Sequence, residues 1–262
     1  MVPPGLRVSL QQYRSDRAGR VLELKVENGS NADVRVTGAS FTSSGFTEDA
    51  VWTKDGTTIP AGLTLDLPVA LHEPICALDD DVSASPGPAL VTLELRLPDG
   101  SSAEVRVAPG DPFGVLPAIQ AEDCAAARIE EVASVQGSSL RVEGTGDASV
   151  AVLTVTAAPS GKPGDILLKS VGTTVLLEAA DGGGGWQLDA PVSGSGPTAS
   201  IELRIVPNRC DPHAVGEDKV GTRLPVTAVD ASGVPRTFAL PLAEGLKSRL
   251  LKFVASHCGY GS

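Results

Sequence analysis

Between positions 211 and 219 an acid, an imidazole, two further acids and an amine fall close together: Asp211, His213, Glu217, Asp218 and Lys219. No other stretch mixes so many chemically able side chains. Asp211 and His213 could share a metal ion, and the whole set could bond and pair with a ligand. The plainer role is local. Asp211 can bond nearby backbone amides in a turn, Pro212 fixes φ, and Lys219 can pair with a neighbouring carboxylate. The segment follows Cys210 and precedes a strand expected over 224–229, so both its ends are held. Binding residues tend to sit on such loops, carried by a rigid scaffold. These five are the candidate binding residues.

Asp79-Asp80-Asp81 is the sharpest acidic cluster. Carboxylates so placed could meet Ca²⁺, which takes several oxygen ligands, but the spacing is not that of an EF-hand, and a solvated loop is the simpler meaning. The imidazoles are His72, His213 and His257. His72 stands at a strand end and His257 at a helix end, both expected to face solvent. No G-x-S-x-G elbow, H-E-x-x-H or P-loop occurs. Gly182 to Gly185 precede Trp186 rather than a helix, which argues against a phosphate cradle. No catalytic residue, metal or cofactor is expected.

The frame that must position the loop is a repeat. Trp52, Cys76 and Cys124 recur as Trp186, Cys210 and Cys258, all at one offset of 134 residues (186 − 52). Self-similarity at a fixed period marks duplicated architecture. The four Cys lack the short spacings of zinc ligands. The duplication selects one of the three possible disulfide connectivities, Cys76–Cys124 with Cys210–Cys258, and leaves no free thiol. Each closure contributes up to ~4 kcal/mol in the chain-entropy model, and such bonds persist in oxidising compartments.

Alternating apolar residues mark the strands: Leu6, Val8 and Leu10; Leu22, Leu24 and Val26; Leu63 to Leu71 at every second position; Val91, Leu93, Leu95 and Leu97. Asn28-Gly29-Ser30 reads as a hairpin turn, although it also matches the N-glycosylation pattern. Val115, Leu116 and Ile119 switch to helical spacing, so a short helix is expected within 111–124, ending at Cys124. In the second half Leu140-Arg141-Val142 repeats Leu6-Arg7-Val8. Leu246, Leu250, Phe253 and Val254 form a better amphipathic helix that ends at Cys258. Residues 126–138 read as the link.

The expected fold is therefore all-β: two tandem Ig-like β-sandwich domains, 6–125 and 127–259, each with a short C-terminal helix tied back by its disulfide. Ig-like refers to architecture here, because in immunoglobulin domains the Trp lies between the two Cys and here it precedes both. Each Trp should be buried, being the largest apolar surface in an aromatic-poor core.

Composition narrows the function. The 262 residues carry a net charge of −11, which opposes contact with nucleic acid and with anionic membrane surfaces. No run approaches a membrane span. Met1-Val2-Pro3-Pro4 has neither the basic nor the apolar region of a signal peptide. The expectation is a removed targeting segment, with a lipid-anchor cysteine as one form of it.

Cys210-Asp211-Pro212-His213-Ala214, with Glu217-Asp218-Lys219 and Gly221-Thr222, resembles a family of secreted or membrane-anchored proteins of high-GC Gram-positive bacteria. Ala50-Val51-Trp52, Ile59-Pro60-Ala61-Gly62 and Leu67-Pro68-Val69 are similar to that family too, so the resemblance covers most of both halves. It implies an envelope location and no activity. The expected function is a non-catalytic extracellular or cell-envelope binding or scaffolding module, its partner an unknown protein or envelope ligand. A metal- or small-ligand-binding lipoprotein is the alternative, and a hydrolase is less favoured.

Overall fold

The computed structural model describes residues 5–76, 87–97, 100–211, 222–243 and 245–260. The chain divides into two compact units, Met1–Ala121 and Glu122–Ser262.

The first unit contains β1 (Leu6–Gln11), β2 (Val21–Asn28), β3 (Val34–Ser43), β4 (Ala50–Val51), β5 (Thr57–Ile59), β6 (Thr64–Ala70), β7 (Ala89–Arg96) and β8 (Ser102–Val107). One antiparallel sheet has the order β1-β2-β6; the other has β4-β3-β7-β8, with β5 also on β3. The alternating residues that predicted the strands supply the core. Leu10, Leu22, Leu24, Val26, Leu67 and Val69 of one sheet share a single buried cluster with Val36, Phe41, Val91, Leu93 and Leu95 of the other. One core lined by two sheets is a sandwich.

The second unit contains β9 (Ala133–Glu143), β10 (Val150–Pro159), β11 (Asp165–Val171), β12 (Leu177–Ala179), β13 (Trp186–Ser193), β14 (Ala199–Pro207), β15 (Pro225–Val229) and β16 (Pro235–Ala239). Its sheets run β12-β14-β10-β9 and β13-β11-β15-β16. Strand for strand this restates the first unit, with β9, β10 and β14 answering β1, β2 and β6, and β11, β13, β15 and β16 answering β3, β4, β7 and β8. β12 is an addition. The sheet partition is that of an immunoglobulin sandwich, but the covalent tie differs. An immunoglobulin domain bridges its two sheets, whereas here Cys210, just beyond β14, bonds Cys258 at the end of the C-terminal helix. Cys76 and Cys124 are disulfide-bonded as well.

Both units close one edge alike. The chain leaving the last strand turns back to the first strand and adds a parallel bridge, Ser9 to Gly110 in one unit and Gly137 to Leu242 in the other. An open strand edge is a template for unwanted pairing, and this return covers part of it. Gly137 keeps the approach close there: a Cβ would lie 2.7 Å from a Leu242 methyl, which would have to move.

Among the described residues the α-helices are α1 (Val115–Glu130) and α2 (Leu246–His257). α1 corrects the sequence reading in two ways. It does not end at Cys124 but continues through Ala125-Ala126-Ala127-Arg128-Ile129-Glu130, a run of strong helix formers, and Ala125 and Ile129 are buried. Residues 126–138 are consequently no free link, because β9 begins only three residues after the helix, at Ala133. Pro117 is accommodated in the first turn. Ahead of it the Asp111 carboxylate accepts from the Val115 and Leu116 amides at 2.8 and 2.9 Å.

Candidate functional site

Of the five candidate binding residues, Asp211 is described; His213, Glu217, Asp218 and Lys219 lie outside the described residues, as do Asp79, Asp80 and Asp81. What the structure shows is how the loop begins. Cys210 and Cys258 have Cα atoms 5.2 Å apart across their disulfide. Asp211 therefore emerges beside the end of α2. Tyr260, two residues past Cys258, folds back so that its amide donates to the Ala255 carbonyl at 3.0 Å. Burial, with the nearby Asp211 carboxylate adding to it, makes the Tyr260 phenol harder to ionise.

His257 sits at the same place and corrects the sequence reading. It is half-buried, not solvent-facing. Its ring meets Phe253 edge-on at 5.6 Å. Nδ1 lies 2.9 Å from the Ser149 carbonyl and 3.3 Å from Ser149 Oγ. A serine beside an imidazole is the raw material of nucleophilic catalysis, but the bonding is wrong for it. A carbonyl only accepts, so Nδ1 carries the proton and cannot take one from the hydroxyl. Ser149 Oγ instead donates to the Gly146 carbonyl at 2.6 Å. The pair fastens the end of α2 to the turn before β10.

Asn28 settles the competition between turn and glycosylation site. Its side chain is 1% exposed. The amide donates to the carbonyls of Ala32 and Ile59, both at 2.9 Å, and Oδ1 accepts from the Ser30 amide and hydroxyl. A nitrogen so engaged is closed to a glycan in the folded chain. His72 is exposed as expected.

Three polar groupings were invisible in the linear sequence. Across β9, β10 and β14, Arg141 makes a two-pronged bond to Glu202 at 2.7 and 2.9 Å, and Arg204 pairs with Glu143 at 2.8 Å. Beneath them Val152, paired with both arginines in the sheet, is fully buried although it stands outside the core cluster. These pairs roof an apolar residue on an outer face. The second grouping is Asp230. Burial raises its carboxyl, but the Ser232 hydroxyl and amide and the Arg236 guanidinium overcome that and hold it below the usual range. The third is a set of carboxyls on the outer face of the β1-β2-β6 sheet, namely Asp16, Glu23 and Asp66 with the Tyr13 hydroxyl. The only advance signal for Glu23 and Asp66 was an alternate, outward strand position, which polar residues take anyway, while Tyr13 and Asp16 lie in the connection between β1 and β2.

Among the described residues no group of three or more His, Cys, Asp or Glu is placed to hold a metal ion. Nor is any helix among them long and apolar enough to cross a membrane.

No family model and no curated protein matches the chain. Among solved structures it is similar to red sea bream transglutaminase, at 13% identity and a TM-score of 0.25, covering 92% of this chain but 32% of that one. It is also similar to the YadV chaperone, at 14% identity and a TM-score of 0.24, covering 89% and 97% of the two chains. A third likeness is to the CsuC–CsuE chaperone–tip adhesion subunit complex of Acinetobacter baumannii, at 14% identity and a TM-score of 0.21, covering 86% and 93%. Scores this low carry no argument about function.

Proposed function

We propose that this chain is a non-catalytic extracellular or cell-envelope protein that binds or scaffolds a partner, with the loop after Cys210 as its recognition element. The resemblance to secreted and membrane-anchored proteins of high-GC Gram-positive bacteria belongs to this proposal. The observation that carries it is the covalent seating of that loop. Cys210 is bonded to Cys258, and β15 resumes at Pro225, so Asp211, His213, Glu217, Asp218 and Lys219 are strung between two fixed points of a sandwich. Holding both ends of a polar segment lowers the ordering cost of binding. Disulfides, in turn, suit an oxidising location.

The test separates recognition from folding. His213→Ala and Glu217→Ala should leave thermal unfolding unchanged and abolish capture of a partner from cell-envelope extract by the immobilised protein. Asp211→Ala, at the anchored end, should lower stability by about 1 kcal/mol or less, because Asp211 is exposed. Equal destabilisation by all three variants, with no partner captured by the unaltered chain, would retire the loop as a binding element.

A further inference from the structure

The connection from β1 to β2, residues 12–20, forms a strap. Its Tyr13 hydroxyl donates to Asp66 Oδ2 on β6 at 2.6 Å. Since β2 lies between β1 and β6 in the sheet, Tyr13 must cross the outer face of β2 to make that bond. The strap is closed on itself by Asp16, whose carboxylate accepts from the Tyr13 amide at 2.8 Å and whose carbonyl accepts from the Val21 amide at 3.0 Å. The β2 residue beneath it is Glu23, which stands between Gln11 of β1 and Pro68 of β6.

Asp66 pairs with Lys25, so Glu23 and Asp66 occupy diagonal positions on adjoining strands. Such positions are about 7–8 Å apart at the backbone and within reach of long side chains. Each carboxyl keeps one oxygen wholly out of solvent with no hydrogen-bond partner among the described residues, Oε2 on Glu23 and Oδ1 on Asp66. Two ionised carboxylates cannot satisfy one another, because both only accept. Orphan buried acceptors are costly, and like charges sharing a site favour protonation of one of them. A single proton on Glu23 would turn one of its oxygens into a donor and relieve the repulsion between the two carboxyls.

We propose that Glu23 and Asp66 share one proton and that this proton latches the β1–β2 strap onto the sheet, making the strap a pH-sensitive element. The charged and titratable groups around Glu23 are Tyr13 and Asp16 on the strap, Asp66 on β6, Lys25 on β2 and Lys54 in the turn after β4. Arg20, at the strap's end, is engaged with the His72 carbonyl and Glu73. Burial pushes the Glu23 carboxyl up to about 7; Asp16 and Asp66 add to the rise, and Lys54 opposes it. The Tyr13 phenol, bonded to Asp66, is held up to about 12 and remains a donor throughout. An acid with a raised folded-state value stabilises most below its ordinary range. The latch is therefore complete below about 4.5 and is lost as pH rises through about 7. The proton then leaves Glu23 for water, no other covalent bond changes, and three carboxylates face one another under the strap.

The experiment is a carboxyl-carbon NMR titration of the whole chain, with amide hydrogen exchange at Tyr13 and Val21 read across the same range. Glu23 should titrate near 7 with a coincident shift at Asp66, and protection of the two amides should fall severalfold through that transition. Glu23→Gln, which keeps a neutral donor, should make the protection independent of pH. Titration of Glu23 in the ordinary carboxylate range, or undiminished protection in the unaltered chain, would overturn the proposal. Both readouts come from the unaltered protein, so the outcome does not depend on the variant folding.

Discussion

His257 and Ser149 meet across 108 positions of chain through Nδ1 and a backbone carbonyl, 2.9 Å apart. The contact belongs to architecture, so its loss should register in stability. Ser149→Ala, which removes the hydroxyl bonded to Gly146, should cost about 1 kcal/mol, and His257→Ala somewhat more because the Phe253 contact goes too. Urea unfolding of the variants measures this. Any hydrolytic activity that vanished with Ser149→Ala while stability held would contradict the assignment.

Asn28 satisfies two carbonyls and a turn from a buried position. Asn28→Ala should cost about 3 kcal/mol, since buried acceptors are left without partners. Mass spectrometry of the chain secreted from a glycosylating host should find Asn28 unmodified.

The two tryptophans answer each other in the repeat but are bonded differently. Trp186 Nε1 donates to the Arg204 carbonyl at 3.0 Å. Trp52 Nε1 is buried with no partner among the described residues. Replacement by Phe should therefore be more costly at 186 than at 52, by about 1 kcal/mol. Thermal unfolding of the two variants side by side gives the comparison, and equal losses would show that Trp52 has a partner of equal worth.

The Cys210–Cys258 bond closes a loop with a sequence separation of 48. Cys210→Ser with Cys258→Ser should lower stability by roughly 2–4 kcal/mol. Under non-reducing peptide mapping the unaltered chain should yield Cys76–Cys124 and Cys210–Cys258 and no crossed pair.

Much of the fold was legible in the residues themselves. A strand with one face in a core must alternate, and Leu22, Leu24 and Val26 or Val91, Leu93 and Leu95 do so wherever they are read. Spacing also announced the duplication and the disulfides, because a repeated unit repeats its covalent ties. The end of α1 was missed, since Cys124 looked like a terminus when only the repeat was considered, whereas helix propensity and the burial of Ala125 and Ile129 carry it further. The direction of a side chain's hydrogen bonds is another matter. Whether Asn28 turns inward, whether His257 shows its proton to a carbonyl or a hydroxyl, and whether Tyr13 crosses β2 to reach Asp66 depend on residues tens of positions away. Polar alternation says only that Glu23 and Asp66 face outward. Strand register places them diagonally on adjoining strands, and the strap above them excludes the water that would otherwise satisfy both. That depends on close approach in space, which only the tertiary structure decides.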